Sequence, residues 1–322
     1  PSVTIAPAGG TRDIGLMTHD VNIFDRAAIR RHRDRAAAGM DQHDFLLREV
    51  GQRLADRLQN IKKRFPRALD LGCHRGELGK ILVHRDDIEC IVNCDPSFGM
   101  IALSPEPRLV ADEDALPFQN NCFDLVMSLL SLHWVNDLPG ALIQVARCLK
   151  SDGLFLAAMF GGETLVELRR SLIEAEVKTR GRAYPRVSPF VNIRDLGNLL
   201  QRADFTMPVV DIDQITVTYP NTLALMTELR GMGESNAIHH RPRHFTARST
   251  LQALDEFYPE STNNPDGRIS AVFQIVYLTA WKKHTGQPRP LSPGSAKTRL
   301  ADALGAIEQT TGAISRSVLQ QK

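Results

Sequence analysis

The spacing of apolar residues along the chain predicts two early helices followed by alternating strands and helices. Asp25 is suited to cap a short helix over 26–38, and apolar residues at three- and four-residue steps predict a second helix over 44–61. From residue 67 onward, short apolar runs alternate with helical stretches. The predicted strands are 67–72, 88–94, 109–111, 123–129 and 154–160, and the helices between them include 76–83 and 138–149. Strands joined by helices of this length need crossover connections, so we predict an α/β fold with a parallel sheet.

The pattern changes again after residue 162, where helices and two longer strands complete the predicted domain. We predict helices at 165–178, 195–203 and 300–318, strands at 209–219 and 271–281, and a turn at 150–153. The helical, histidine-rich stretch between the last two strands is interpreted as a lid or substrate insertion. The predicted organisation is a flexible segment 1–20, one domain over 21–282 with a core at 44–160 and insertions at 161–206 and 220–269, and a flexible tail over 283–322.

Composition limits the classes of partner. The 322 residues are 43% hydrophobic and 24% charged, which is ordinary for a globular protein, and the net charge is +2. So small a net charge argues against a nucleic-acid partner and against strong electrostatic attraction to a membrane surface. No run approaches the roughly 20 apolar residues of a membrane span, so at most peripheral membrane association is expected. Five cysteines without a Cys-x-x-Cys pair indicate reduced thiols and a reducing compartment.

Basic residues are concentrated in one predicted helix. Five arginines lie within ten residues, namely Arg26, Arg30, Arg31, Arg33 and Arg35. The interpretation that we favour is a solvated helix face, and the alternative is a surface that docks an acidic partner or touches anionic lipid.

The most informative stretch is a tight turn after the strand predicted at 67–72. Asp70, Gly72 and Gly76 frame this turn, and Asp95 stands at the end of the next apolar run. Glycine lets the backbone approach a ligand closely, and a carboxylate about twenty residues further on suits two contacts to ribose hydroxyls. The arrangement predicts a site for an adenosine-containing cofactor at the carboxyl ends of parallel strands. Flavodoxin-like and nicotinamide-binding folds use similar turns, so the turn alone does not determine which cofactor is bound.

The segment before the fourth predicted strand narrows the class of cofactor-binding protein. Asp-Glu-Asp-Ala-Leu-Pro-Phe at 112–118 precedes Cys-Phe-Asp-Leu-Val at 122–126. Together with the glycine turn, this order resembles the class I S-adenosylmethionine-dependent methyltransferases of the type 11 group. The resemblance implies a Rossmann-like, doubly wound sheet that is mostly parallel with an antiparallel last strand, plus N-terminal helices and a helical insertion. It also implies S-adenosyl-L-methionine as the cofactor, with Asp112 at the adenine amino group and Ser128 and Leu129 at the methionine end.

One residue departs from the pattern of that group. His74 stands where these proteins usually have the middle glycine of the turn. A β-carbon and an imidazole at this point are expected either to crowd the cofactor or to rotate outward on a different backbone angle. We therefore expect an effect on cofactor affinity more than on the fold.

Segments outside the cofactor core resemble a narrower family. These segments are 22–26, 131–139, 159–169, 188–190, 195–197 and Gly-Met-Gly-Glu-Ser-Asn at 231–236. Together they resemble the arginine-hydroxylating assembly factor of respiratory complex I and its bacterial relatives, which are close to the malonyl-carrier-protein methyltransferase of biotin synthesis. The resemblance implies a hydroxylated arginine on a protein substrate, a quinone-site subunit of complex I. It implies the bacterial cytoplasm or, in a eukaryote, the inner-membrane face of the mitochondrial matrix.

Three side chains are candidates for chemistry on such a substrate. His133 follows the fourth predicted strand and is a candidate base, although packing beside the adenosine is the interpretation that we favour. Glu163 and Glu234 are the acids suited to hold a guanidinium, and the alternative role for both is helix capping. The histidine-containing motifs do not predict an iron site, so no metal is expected.

Three functions remain open from the sequence. The first is modification of a protein arginine, by hydroxylation or by methylation, during complex I assembly. The second is an ordinary methyltransferase that acts on a carrier protein or a small molecule. The third is a non-catalytic assembly chaperone that binds the cofactor as a structural ligand, an interpretation favoured by His74 and by the lack of a predicted oxidant site.

Overall fold

The computed structural model describes residues 22–191, 193–258, 267–287, 294–295 and 297–306. Its helices are α1 Arg26–Ala37, α2 Phe45–Gln59, α3 Glu77–Ile81, α4 Phe98–Ala102, α5 Leu138–Cys148, α6 Val166–Arg180, α7 Ile193–Arg202, α8 Thr222–Gly231, α9 Arg248–Phe257 and α10 Leu300–Leu304. Its strands are β1 Arg67–Leu71, β2 Cys90–Asp95, β3 Arg108–Val110, β4 Phe123–Leu129, β5 Leu149–Phe160, β6 Phe205–Tyr219 and β7 Ile269–Lys282. The predicted flexible segment 1–20 and residues 307–318 of the predicted last helix lie outside the described residues.

The strands pair into a sheet of seven in the order β3-β2-β1-β4-β5-β7-β6. The first five strands in this order run parallel, and β7 is antiparallel to both of its neighbours. The chain winds outward from β1 in one direction and then from β4 in the other, so the sheet is doubly wound. The predicted fold class is therefore confirmed. In such sheets ligands bind at the carboxyl ends of the strands where the winding reverses, which here is between β1 and β4.

The central strands are buried on both faces. Along β5, Leu156 and Ala158 pack in a core with side chains of α2, α6 and α9. Phe155 and Ala157 pack in a second core with side chains of α5 and α7. Successive strand residues point to opposite faces of a sheet, so each face has its own layer of helices. Burial on both faces explains why this strand reads as a continuous apolar run instead of an alternating one.

Helix α1 begins where the sequence predicts, because Asp25 caps it. The Asp25 carboxylate accepts a hydrogen bond from the backbone N–H of Ala28 at 2.9 Å. The buried face of α1 carries mostly small side chains such as Ala28 and Ala37, together with Ile29. The interpretation of its arginines as a solvated face is wrong for Arg33, which is 1% exposed. The reason is that its partners come from distant parts of the chain.

Two local predictions differ from the structure. The predicted turn at 150–153 is a bulge inside β5, because Leu149 already pairs with Phe123 of β4. Helix α4 is absent from the sequence-based prediction. It begins after Ser97, whose hydroxyl accepts a hydrogen bond from the backbone N–H of Met100 at 3.1 Å. Pairing across strands and a single capping residue both outweigh local apolar spacing at these positions.

Contacts divide the chain into two units, Pro1–Lys283 and His284–Lys322. The first unit contains the sheet, and its end lies one residue beyond the predicted domain limit. The second unit contains α10. Within the described parts of the chain, no helix is long and apolar enough to cross a bilayer.

Candidate functional site

The residues predicted to bind the cofactor meet at the carboxyl ends of β1 and β2. Gly72 and Gly76 follow β1 with φ angles of +67° and +77°, which glycine adopts without strain. Asp70 lies near the end of β1 and Asp95 ends β2, and both side chains are fully buried. The backbone N–H of Gly72 donates to the carbonyl oxygen of Cys94 at 2.7 Å, which ties the turn to β2. The structure thus brings these predicted residues to one edge of the sheet.

The carboxylate of Asp95 is engaged by groups of the chain itself. Its Oδ2 atom accepts hydrogen bonds from Nη1 of Arg33 at 2.8 Å and from the backbone N–H of His74 at 3.1 Å. Its Oδ1 atom accepts from the backbone N–H of Ser97 at 2.8 Å. Burial raises the pKa of Asp95, and the positive charge of Arg33 opposes this effect. Helix α1 therefore supplies a guanidinium at the carboxylate predicted to bind ribose.

The acidic loop that contains Asp112 is paired with α1 in the same way. Nη2 of Arg26 donates to Asp112 at 2.5 Å and also contacts Glu113. Glu113 is fully buried, and its other oxygen accepts from Oγ of Ser131 at 2.5 Å. Burial raises the pKa of Glu113, but the charges of Arg26 and Arg33 outweigh burial, so that pKa is lowered overall. Two arginines of α1 thus pair with the carboxylates predicted for ribose and adenine.

Gly72 packs directly against Ser131. A Cβ atom at Gly72 would lie 2.0 Å from Oγ of Ser131 and 3.0 Å from a carboxylate oxygen of Glu113. The first distance is far below any van der Waals contact. The glycine is therefore required by a contact within the protein, whereas the sequence pattern indicates close approach of a ligand.

His74 points into the site. It has a φ of +52°, and 2% of the residue is exposed. Its Nε2 atom lies 3.1 Å from the carbonyl oxygen of Leu129, to which it donates a hydrogen bond. Burial lowers the pKa of His74, and the positive charge of Arg33 lowers it further, so the imidazole is neutral at pH 7. His74 thus has a left-handed backbone angle, and its ring is buried instead of rotated outward; the effect on cofactor affinity stays a prediction.

Asp70 is buried, and no described residue provides it with a counter-charge. Among the described residues, neither of its carboxylate oxygens has a hydrogen-bond partner. Burial raises the pKa of Asp70 well above its ordinary value, and the neighbouring carboxylates of Glu77 and Asp95 raise it further. The position suits a cationic group of a ligand, since such a group would lower this pKa again.

Asp70→Asn is expected to stabilise the ligand-free protein at neutral pH. Because its pKa is raised, Asp70 binds a proton more tightly in the folded state than in the unfolded state. Its favourable contribution is therefore present below about pH 4 and is lost as the pH rises through the folded pKa. Asparagine lacks this dependence. Urea unfolding at about pH 4 and about pH 7 measures the difference. A gain in unfolding free energy that is equal at the two pH values would contradict the expectation.

A cavity of about 430 Å³ adjoins α6 and α8. Most of its wall is apolar. Among the residues that line it are Phe160, Phe190, Trp134 and Glu234. Such a shape and composition are typical of sites that enclose a small ligand or a single side chain.

Glu234 is the acidic residue among those that line the cavity, and Arg186 and Arg230 are basic residues of the same wall. Oε2 of Glu234 accepts hydrogen bonds from Nε2 of His133 at 3.1 Å and from Nε1 of Trp134 at 2.9 Å. Burial raises the pKa of Glu234, but His133 and then Arg33 outweigh burial and lower it. The carboxylate is therefore ionised and held by two donors. The structure brings together two of the predicted catalytic residues, His133 and Glu234.

Of the remaining predicted residues, Ser128 and Leu129 contact the end of β1 and the turn after it, whereas Glu163 does not reach the cavity. Oγ of Ser128 donates to the carbonyl oxygen of Leu71 at 2.7 Å, which ties β4 to β1. Glu163 is exposed in the turn before α6 and does not line the cavity. Its alternative role as a helix cap is wrong, because α6 begins at Val166 and Leu165 is at the N-cap position.

The histidines of the insertion do not converge. The rings of His239 and His240 contact each other, with centroids 5.1 Å apart. His244 contacts Nη1 of Arg180 at 3.1 Å. Across the described residues, no group of three or more His, Cys, Asp or Glu side chains is placed to hold a metal ion.

Sequence reasoning missed Arg33 and Ser131 as residues of the site. A signal was present in α1, since Arg26, Arg30 and Arg33 recur at i, i+4 and i+7 and therefore share a helix face. The partner of that face was not visible, because Asp95 lies 62 residues from Arg33 along the chain.

Comparison with known proteins agrees with the sheet and its site. A family profile described as a methyltransferase domain matches residues 69–157. The phosphoethanolamine N-methyltransferase 2 of Haemonchus contortus, solved in complex with S-adenosyl-L-methionine, has a similar fold. Its TM-score is 0.50 at 16% identity, over 80% of this chain and 60% of that chain. The fold and the domain match define a methyltransferase-fold protein.

The narrower family follows from sequence identity. The Danio rerio protein named arginine-hydroxylase NDUFAF5, mitochondrial, is 44% identical over 88% of this chain and 89% of its own length. This chain belongs to the family of the arginine-hydroxylase NDUFAF5. A malonyl-[acyl-carrier protein] O-methyltransferase of Methylovorus sp. (strain MP688) is 31% identical over 89% of this chain and 100% of its own. The resemblance drawn from the segments outside the cofactor core is confirmed.

Proposed function

We propose that this chain binds S-adenosyl-L-methionine at the carboxyl ends of β1 and β2 and modifies an arginine side chain of a protein. The modification belongs to the assembly of respiratory complex I, and the substrate is a quinone-site subunit. The proposed compartment is the mitochondrial matrix or, in a bacterium, the cytoplasm. The names of the relatives support arginine as the target. The observation that carries the proposal is the buried, ionised Glu234 in the wall of an apolar cavity.

An arginine side chain matches the apolar wall of this cavity, and Glu234 supplies a carboxylate locally although Arg186 and Arg230 also line the wall. The guanidinium of the substrate arginine forms charge-assisted hydrogen bonds with this carboxylate. The apolar stem of that arginine fits against aromatic rings such as Phe160 and Phe190. His133 and Trp134 hold the Glu234 carboxylate in place before the substrate arrives, so little ordering is left for binding.

The carboxylates at the edge of the sheet fit the cofactor, but the space beside them is filled. The unpartnered carboxylate of Asp70 suits the amino group of the methionine end, and Asp95 suits the ribose hydroxyls. Arg33 and His74 now contact Asp95, and α1 covers the site. When bound, S-adenosylmethionine supplies an electrophilic methyl group. Asp70, Asp95 and Asp112 are the residues proposed to hold it, with Gly72, Gly76, Ser128 and Leu129 forming the adjacent backbone.

Glu234→Gln is expected to reduce modification of the target arginine by about tenfold to a hundredfold. Glutamine keeps an oxygen for the donors of His133 and Trp134, so the fold is retained, while the charge that holds the guanidinium is lost. Modified peptide per unit time, measured by mass spectrometry, gives the effect. Glu174→Gln on the exposed face of α6 is the matched control and is expected to leave the rate unchanged. Equal rates in both variants would contradict the role of Glu234.

The proposed activity is tested on the subunit itself. The quinone-site subunit of complex I is isolated from cells with and without this gene, and its arginine peptides are weighed by mass spectrometry. An increment of one oxygen atom that requires the gene supports hydroxylation, and an increment of one methylene group supports methylation. No increment would overturn the enzymatic proposal for this subunit. Complex I that then still failed to assemble without the gene would favour the chaperone, to which the filled site also points.

A further inference from the structure

Helix α1 places positive charge on the carboxylates of the cofactor site. Arg26 and Arg33 are two helical turns apart and lie on the same side of α1. Arg26 pairs with Asp112 and Glu113, and Arg33 pairs with Asp95. The adenosine end of the proposed cofactor and these guanidinium groups therefore require the same oxygen atoms.

We propose that Arg33 and the cofactor ribose are alternative ligands of Asp95, so that α1 closes the site until the cofactor displaces it. The inference rests on the proposed binding of S-adenosylmethionine. Arg33 is 1% exposed and is enclosed by Asp95, Glu113 and Ser131, so its side chain cannot swing aside while α1 stays docked. Release of Asp95 requires movement of the helix.

The way in which α1 is attached favours such a movement. Its buried face presents mostly alanine, which contributes little apolar area compared with leucine or phenylalanine. Much of the attachment is polar: Asp34 accepts from Oγ of Ser97 at 2.5 Å and from the backbone N–H of Gly99 at 2.9 Å. Gly39, which follows the helix, is exposed and has no atom of the described residues within 4 Å of its Cβ position, and the wide range of backbone angles open to glycine suits a pivot there.

The same helix reaches the substrate cavity. Nη1 of Arg26 donates to the carbonyl oxygen of Trp134 at 3.0 Å, and the ring of Phe24, just before α1, packs edge-on against the Trp134 ring at 5.2 Å. Trp134 in turn donates to Glu234. Displacement of α1 by the cofactor would therefore loosen the support of Trp134 beside the proposed arginine site. Cofactor binding and access to the cavity are coupled through α1.

The test measures binding and helix mobility separately from activity. S-adenosylhomocysteine, the demethylated form of the cofactor, is titrated calorimetrically into the full chain, into Arg33→Met and into the control Arg31→Ala. Methionine keeps the apolar stem of Arg33 without its charge, whereas Arg31 lies on α1 with its side chain 65% exposed. We expect affinity to rise at least about tenfold in Arg33→Met and to stay unchanged in Arg31→Ala, because only the first variant removes the competitor.

Hydrogen exchange on the unaltered chain supplies the second readout, which does not depend on how well Arg33→Met folds. S-adenosylhomocysteine is expected to increase deuterium uptake across residues 26–37 while it protects the turn at 72–76. Binding with unchanged or reduced uptake across 26–37 would overturn the displacement of α1 and leave cofactor binding intact. Absence of binding to the full chain and to Arg33→Met would instead overturn the proposed cofactor, and the inference with it.

Discussion

Asp95→Ala is expected to lower the free energy of unfolding by about 3–5 kcal/mol, because it leaves the buried guanidinium of Arg33 without its main counter-charge. The substitution also removes the acceptor for the backbone N–H groups of His74 and Ser97, both of which are buried. The loss is large because none of these donors can turn toward water. Equilibrium unfolding in urea at neutral pH measures it, and the binding titration with S-adenosylhomocysteine is expected to show no heat with this variant.

The control for this loss is an ion pair at the surface. Asp211 on β6 pairs with Arg57 at 2.6 Å, but its side chain is 57% exposed, so Asp211→Ala is expected to cost less than about 1 kcal/mol. The double variant Asp95→Ala/Arg33→Met is expected to be more stable than the sum of the single losses, since neither charge is then left alone. A cost for Asp95→Ala no larger than that of Asp211→Ala would show that Arg33 does not depend on Asp95.

Gly72→Ala is expected to destabilise the protein by about 3 kcal/mol or more, through two separable effects. The first is the backbone, since an alanine at a φ of +67° costs about 1–2 kcal/mol. The second is the collision of the new Cβ with Ser131, whose Oγ and Cβ atoms would lie 2.0 and 2.2 Å away. Overpacking of this kind adds roughly 1–3 kcal/mol as the neighbours shift.

Gly181 separates the two effects. It ends α6 with a φ of +70°, and among the described residues no atom lies within 4 Å of its Cβ position. Gly181→Ala is therefore expected to show the backbone cost alone, about 1–2 kcal/mol. In a Ser131→Gly background the colliding atoms are absent, and Gly72→Ala is expected to cost about as much as Gly181→Ala. The test compares the unfolding free energies of Gly72→Ala, Gly181→Ala, Ser131→Gly and the double variant Ser131→Gly/Gly72→Ala. Equal costs for Gly72→Ala and Gly181→Ala in the natural background would contradict the contact with Ser131.

These expectations change the meaning of the glycine turn. Glycine at position 72 is typical of a close approach between backbone and cofactor, and sequence reasoning assigned it that role. The structure gives it a second reason, which is contact with Ser131 in the absence of any ligand. Ser131 also bonds Glu113 and Arg33, so the turn, the acidic loop and α1 form one packed polar cluster. A polar cluster of this kind is sensitive to the removal of any member.

Local spacing was sufficient for the approximate positions of the strands and of the helices between them, whereas the doubly wound sheet with an antiparallel last strand was expected from the family resemblance. The strand over 123–129 has the predicted bounds, and the helix predicted over 138–149 differs from α5 by a single residue. The prediction succeeds because strand and helix periods depend on neighbouring residues. It fails at 150–153, where polar residues typical of a turn are held in β5 as a bulge by pairing with β4. It also fails for Glu163, because two residues lie between it and the start of α6.

The acidic positions at the edge of the sheet could be read from the chain, since Asp70 and Asp95 lie at the ends of adjacent parallel strands and such strand ends meet. The partners of these carboxylates could not be predicted from the sequence. A run of arginines has the same sequence pattern whether its side chains are exposed to water or paired with buried carboxylates. The choice depends on Asp95, Glu113 and Ser131, which lie between 62 and 98 residues from their arginines. Burial of a charge is a property of the assembled elements, because its cost is offset only when partners from separate elements converge on it.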